Sequence, residues 1–332
     1  MRAPRLDKIA SKTTLAFELL GSRFFSTARP LVVGWRLTHR CNMRCANCHL
    51  WMNKGGELSA DGLKGMIDRL FEQGMRAVTF TGGEPLLRDD IEDIVTYTRS
   101  KGISTALNTN GALLKEKKAC LKNLDRLHLS LDGPEEINDS LRAKGAFKAT
   151  CQAVDMAKEE GVPVILTALL TRKNLDCVDF LLDFARRHKV KIGFQPASGN
   201  YLGSDEANPH SPQGADYQQA IAILERAKRS EGRHIINSST GLRHIKRFPE
   251  GELSDCLAGR LIFRVEPDGR MYSCSWSDAG QQGGPIDIDN VSKSCLRKAA
   301  TCTSCWRFLP IELNSIASLR PEPVLNAFFA WI

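Results

Sequence analysis

Between residues 31 and 198, short apolar runs alternate with segments whose apolar residues recur at helical spacing, and this alternation restricts the fold most. The strand-like runs fall at 31–37, 77–81, 104–108, 126–132, 162–170 and 190–195. Helical patterns follow at 59–74, 91–100, 113–123, 146–160 and 175–188. In the first of these, Leu63, Met66, Ile67, Leu70 and Phe71 share one face, with Ser59 as N-cap and Gly74 as stop. In the last, Leu175, Val178, Leu182 and Ala185 mark the buried side and Asn174 the start. Six strands separated by helices pair in parallel through right-handed crossovers. The expected fold is therefore α/β, a partial (β/α)6 TIM-like barrel two units short of the closed form. In such barrels the chemistry sits at the C-terminal ends of the strands.

At 332 residues the chain has room for this barrel and a smaller unit. No apolar run approaches the roughly 18 residues of a membrane span. The 11 cysteines are odd in number and follow no secretory signal, so their spacing suits metal clusters in a reducing cytoplasm better than disulfides. The net charge is +8, and residues 1–40 hold eight Lys or Arg against Asp7 and Glu18. Without a nucleic-acid reading module or interleaved aromatics, this charge does not argue for nucleic acid. Residues 8–25 read as an amphipathic helix capping the barrel, with peripheral contact to an anionic membrane surface as its other use.

The first strand runs into Cys41-Asn-Met-Arg-Cys45-Ala-Asn-Cys48. Thiolates at these spacings can converge on one four-iron cluster, and three of them leave one iron without a protein ligand. A structural zinc is the alternative, but zinc in that role needs four closed ligands. The second strand ends in Thr81-Gly82-Gly83-Glu84-Pro85, the third in Asn108-Thr-Asn110-Gly111 and the fourth in Ser130-Leu-Asp132-Gly133, with Arg142 downstream.

Cysteines in a C-x3-C-x2-C loop after the first strand and Gly-Gly-Glu-Pro after the second resemble the radical S-adenosylmethionine (SAM) superfamily. The resemblance implies a [4Fe-4S] cluster on Cys41, Cys45 and Cys48, whose open iron is chelated by SAM. Reductive cleavage of SAM would then give a 5′-deoxyadenosyl radical that takes hydrogen from the substrate. It further implies that Gly82 and Gly83 let the backbone approach the methionine part of SAM, and that Glu84 helps hold its ammonium. Ser130 and Arg142 would bind the SAM carboxylate, and Asn108 the ribose or the substrate. One position departs from the pattern, because Asn47 stands where the family usually has an aromatic residue that packs on the adenine side.

A second group, Cys256, Cys274, Cys302 and Cys305, resembles the ligand set of the SPASM/twitch branch and implies a second, auxiliary [4Fe-4S] cluster. Cys295 is a further candidate ligand. A hairpin around Pro267-Asp268-Gly269 lies between the first two of these cysteines. Cys120, Cys151 and Cys177 read as small buried residues on helices. The domain division expected is 1–30 an N-terminal helix, 31–235 the barrel, 236–310 a twitch-like auxiliary-cluster domain and 311–332 a tail whose apolar end docks onto the barrel. Gln195, Tyr201 and His210, in or beside the long polar loop 197–215, are the candidate substrate contacts. The expected activity is oxidation or dehydrogenation of a small metabolite, with an electron passed to the auxiliary cluster and a flavodoxin- or ferredoxin-type donor as partner. Maturation of a ribosomally made peptide is the alternative, disfavoured because residues 1–30 are too short for a leader-binding module. A non-catalytic iron–sulfur relay is the reading from another class.

Overall fold

In the computed structural model, residues 28–250, 256–273, 284–291, 305–318 and 322 are described. The expected helix at 8–25, the tail end 323–332, Cys274, Cys295 and Cys302 lie outside them.

One eight-stranded sheet carries the structure, in the order β6-β5-β4-β3-β2-β1-β7-β8. Its strands are β1 (Val32–Arg36), β2 (Ala77–Thr81), β3 (Ser104–Thr109), β4 (Arg126–Ser130), β5 (Val164–Leu170), β6 (Lys191–Pro196), β7 (Ile262–Val265) and β8 (Met271–Tyr272). All neighbours pair in parallel except β7 and β8. The helices between the first six strands are α1 (Ala60–Glu72), α2 (Ile91–Ser100), α3 (Glu135–Leu141), α4 (Ala146–Glu159) and α5 (Val178–His188). Ser59 caps α1 by accepting from Gly62 N–H at 3.2 Å, as its sequence pattern predicts. The helix expected at 113–123 is shorter, a 3-10 segment over Lys118–Asn123. The periodic residues at 113–117 form turns instead.

Burial alternates along the strands. On β2, Val78 and Phe80 are buried while Ala77, Thr79 and Thr81 are half-buried; on β4 Leu127 and Leu129 are buried while Arg126, His128 and Ser130 are not. The buried set faces outward under the helices, so the main core lies between sheet and helices. The opposite, concave face is polar and lines an opening. Each Leu, Ile or Phe closed under a helix contributes about 1.5–3 kcal/mol, which leaves the inner face free to carry polar groups.

After β6 the chain forms α6 (Gly214–Glu231) and α7 (Ser239–Ile245), and later α8 (Phe308–Ala317). Phe308 joins Ile165 and Ile236 in a small cluster, and Leu313 and Ile316 join Leu31, Val32, Leu257, Leu261 and Ile262 in another. Helix α8 thus shares apolar clusters with residues of both β5 and β1, strands far apart in the sheet order, and packs across the curl of the sheet.

The hairpin forms where its Pro-Asp-Gly turn predicts, with Gly269 at φ +86°. Strand β7 pairs with β1 in register from Val32↔Ile262 to Trp35↔Val265. The hairpin extends the barrel sheet. An open barrel leaves the backbone groups on the edge of β1 unpaired, and an extended apolar segment satisfies them.

Candidate active site

A cleft opens at the C-terminal strand ends. Gly34 and Arg36 of β1, Thr81 of β2, Asn108 and Thr109 of β3, Ser130 of β4, Thr167 and Leu169 of β5, Gln195 of β6 and Arg264 of β7 all line it. These are the inward members of the strand alternation or the strand-end residues themselves. Cys41, Cys45 and Cys48, Gly82, Gly83, Asp132 and Arg142 complete the wall beside them.

The cysteine loop is positioned by backbone contacts to the glycine pair. Gly83 N–H donates to Thr38 O and Glu84 N–H to Arg40 O, both at 2.8 Å. A Cβ at Gly82 would collide with Thr38 O, and one at Gly83 with the carbonyls of His39 and Arg40. Gly82 also sits at φ +143°. The two glycines therefore allow the strand that ends β2 to lie against the segment leading into the first cysteine, a close approach that no side chain permits.

Glu84 is fully buried and does not line the cleft. Its carboxylate accepts from Leu86 N–H (3.0 Å), the Thr109 hydroxyl (2.8 Å) and Asn110 N–H (2.9 Å). Burial pushes its pKa up, against those hydrogen bonds. Its structural work is to tie the end of β2 to the end of β3. Asn110 extends the tie by donating to Asn42 Oδ1 at 2.7 Å. Asn108 donates to the Thr81 hydroxyl at 3.4 Å.

Arg142 Nε stands 2.7 Å from Asp132 Oδ2, and Asp132 Oδ1 accepts from Leu169 N–H at 2.8 Å. The pair joins α3's end to β4 and β5 at the cleft wall. Arg142 also acts electrostatically on the Cys45 thiol.

Burial pushes the Cys41 thiol up to about 11 and raises those of Cys45 and Cys48. Arg142 opposes that rise at Cys45; the Leu50 N–H, Arg36 and Arg142 oppose it at Cys48. The donor set is three soft sulfurs with cationic neighbours, which fits an anionic thiolate-bound iron–sulfur cluster, and binding it would displace the thiol protons. Among the described residues no three metal-ligating side chains are grouped to hold a metal ion. Sulfurs bound to separate irons need not meet as closely as on one ion.

Asn47 has a specific role here. The loop 197–215 folds over the cysteine loop, with Leu202 N–H donating to Asn47 O (3.2 Å) and His49 N–H to Leu202 O (2.9 Å). Asn208 Nδ2 donates to Asn47 Oδ1 at 3.4 Å. The side chain at the divergent position is 8% exposed and joins a seam that an aromatic ring could not hydrogen-bond.

The three candidate substrate contacts separate. Gln195 lines the cleft, and its Oε1 accepts from Phe308 N–H at 3.3 Å. Tyr201 is absent from the lining and stacks on His49, ring centroids 3.9 Å apart. His210 is also outside it, held by its N–H donating to Asn208 Oδ1. The loop instead presents Ser198, Asn200, Leu202 and Asn208. The sequence pattern also passed over Arg36 and Arg264. Their signal was a charged residue inside an otherwise apolar strand. Among the described auxiliary-group cysteines, Cys305 is buried with its carbonyl accepting from His244 Nε2 at 2.7 Å, and Cys256 is half-buried.

Fold and cleft define an α/β partial-barrel protein with a thiol-bearing site at its strand ends. Residues 35–185 match the model of the Radical SAM superfamily. It is 32% identical over 213 residues to the Fe-coproporphyrin III synthase of Methanosarcina barkeri, covering 62% of this chain and 53% of that protein. It is 25% identical over 258 residues to the mycofactocin maturase MftC of Mycolicibacterium smegmatis, covering 75% of this chain and 65% of that one. The chain thus spans between about half and two thirds of the length of these curated relatives. The crystal structure of Streptococcus suis SuiB bound to S-adenosylmethionine has the same fold, with a TM-score of 0.63 at 17% identity over 83% of this chain and 67% of that chain.

Proposed function

We propose that this chain is a radical SAM enzyme that abstracts hydrogen from a small organic substrate and oxidises or dehydrogenates it. The observation that carries this reading is the convergence of Cys41, Cys45, Cys48, Gly82, Gly83, Asn108, Ser130 and Arg142 on one cleft. The three cysteines would hold a [4Fe-4S] cluster. Gly82 and Gly83 would face the methionine part of SAM, and Ser130 and Arg142 its carboxylate, for which a guanidinium fork is suited. Cluster and SAM together supply a hydrogen-abstracting radical when bound. The chain's own residues orient and shield that chemistry: the 197–215 loop, fastened through Asn47, covers the cysteine loop, and Gln195 stands on the substrate side.

An auxiliary [4Fe-4S] cluster on Cys256, Cys274, Cys302 and Cys305 belongs to the same proposal, as the destination of the substrate's second electron. A flavodoxin- or ferredoxin-type donor in the cytoplasm would deliver the first. No helix among the described residues is long and apolar enough to cross a membrane. A second reading, maturation of a ribosomally made peptide, is favoured by the similarity to the mycofactocin maturase over three quarters of this chain.

The test is anaerobic reconstitution, iron analysis and incubation with SAM and a strong reductant. The wild-type chain should form 5′-deoxyadenosine. Replacing Cys41, Cys45 and Cys48 together by Ala should remove about four irons per chain and all SAM cleavage. Full iron loading without cleavage would instead identify a non-catalytic relay.

A further inference from the structure

The cleft wall formed by β1 and β7 carries two guanidinium groups, those of Arg36 and Arg264. The carboxylate that lines the cleft, Asp132, is already paired with Arg142 on the opposite side. Behind the wall stands Glu266. Its Oε1 lies 2.9 Å from Arg36 Nη1 and 2.6 Å from Arg264 Nε, and its Oε2 lies 3.1 Å from His39 Nε2. One carboxylate is thus shared by two guanidinium groups and an imidazole.

Arg264 is 2% exposed, yet its Nη2 has no hydrogen-bond acceptor among the described residues. Burying a charged donor without an acceptor is costly, and native structures seldom do so without cause. The register explains how the group reaches the cleft. Arg264 pairs with Gly34 of β1, which also lines the cleft but has no side chain to stand in front of the guanidinium. Its aromatic neighbour Tyr272 lies under the guanidinium, 4.9 Å from ring centroid to Cζ, which holds the plane in place without supplying an acceptor.

The proposed SAM-carboxylate residues, Ser130 and Arg142, stand at the end of β4. That is three strands from β1 and four from β7. At roughly 4.8 Å per strand the two arginine sites are about 14 Å or more apart measured along the sheet, on different walls of the curled cleft.

We propose that Arg264, with Arg36 beside it, recognises a carboxylate on the substrate, so that the substrate class is a carboxylic acid anchored on the β1–β7 side of the cleft. This rests on the reading of the cleft as a substrate site. A carboxylate would give the Arg264 Nη2 the acceptor it lacks, in the planar geometry that suits a guanidinium and that a lysine could not reproduce.

The test uses the full chain, reconstituted and saturated with SAM, and titrates glutarate and inorganic phosphate as probes by calorimetry. SAM affinity and iron content are measured separately in each variant. Wild type should bind glutarate saturably and more tightly than phosphate. Arg264→Gln should weaken glutarate at least tenfold while leaving SAM affinity within twofold. Glu266→Gln, which removes the competing carboxylate, should strengthen glutarate binding. Equal glutarate affinity in Arg264→Gln, no saturable binding by wild type, phosphate preferred to glutarate, or a matching loss of SAM affinity would each overturn the proposal. A chain that binds glutarate through Arg264 yet never cleaves SAM would instead defeat the enzymatic reading and leave the anion site standing.

Discussion

At Gly83 the requirement for glycine comes from the protein's own backbone. Any Cβ there meets the carbonyls of His39 and Arg40, which cannot move without moving Cys41. Gly83→Ala should therefore cost at least the 1–3 kcal/mol typical of overpacking, read as a lowered thermal midpoint, and should also lower iron retention after reconstitution. Unchanged iron content would show that the cysteine loop is positioned independently of this contact. Asn47 is the converse case. Its difference from the family pattern was visible in the sequence, but its partners, Leu202 and Asn208, lie more than 150 residues away and could not be read from spacing.

Among the elements, α1 was the most legible. Its five-residue apolar face, its Ser59 cap and the stop after Gln73 agree with the observed helix. Ser59→Ala should destabilise the fold by about 1 kcal/mol, measured by chemical denaturation, with SAM binding unaffected because α1 lies outside the cleft. A full loss of SAM binding would contradict that separation. The hairpin β7–β8 was half legible. Its turn chemistry announced antiparallel strands, whereas its docking on β1 depends on an unpaired sheet edge created elsewhere. The stretch at 113–123 was read too regularly, since apolar spacing alone does not distinguish a helix from a chain of turns ending in a 3-10 segment.

For the whole molecule, packing across the curl of the sheet depends on α8 and on Glu312 within it. Glu312 is 2% exposed, and its Oε1 accepts from Ser238 N–H (2.9 Å) and lies 3.2 Å from the Ser238 hydroxyl. Burial raises its carboxyl to about 7, with Ser238 and Lys228 opposing and Glu322 adding to the rise. In the unfolded chain the group ionises near 4.5. Between those values the folded state keeps a proton that the unfolded state has released. The group's stabilisation is complete below 4.5 and is lost as pH rises through about 7, amounting to about 3 kcal/mol. Glu312→Gln should remove this dependence, so its thermal midpoint should gain on wild type between pH 5 and pH 8. Parallel profiles for the two proteins would refute the assignment.

The sequence by itself determined the local and periodic features: strand and helix order, the three-cysteine loop and the glycine pair. Each depends on residues within a few positions of one another. Only the tertiary structure decided which side chains share the cleft. Arg36 and Arg264 are more than 200 residues apart and meet because β7 completes the edge of β1. Glu84, so close to the cleft in sequence, turns away because the buried N–H groups of Leu86 and Asn110 need an acceptor.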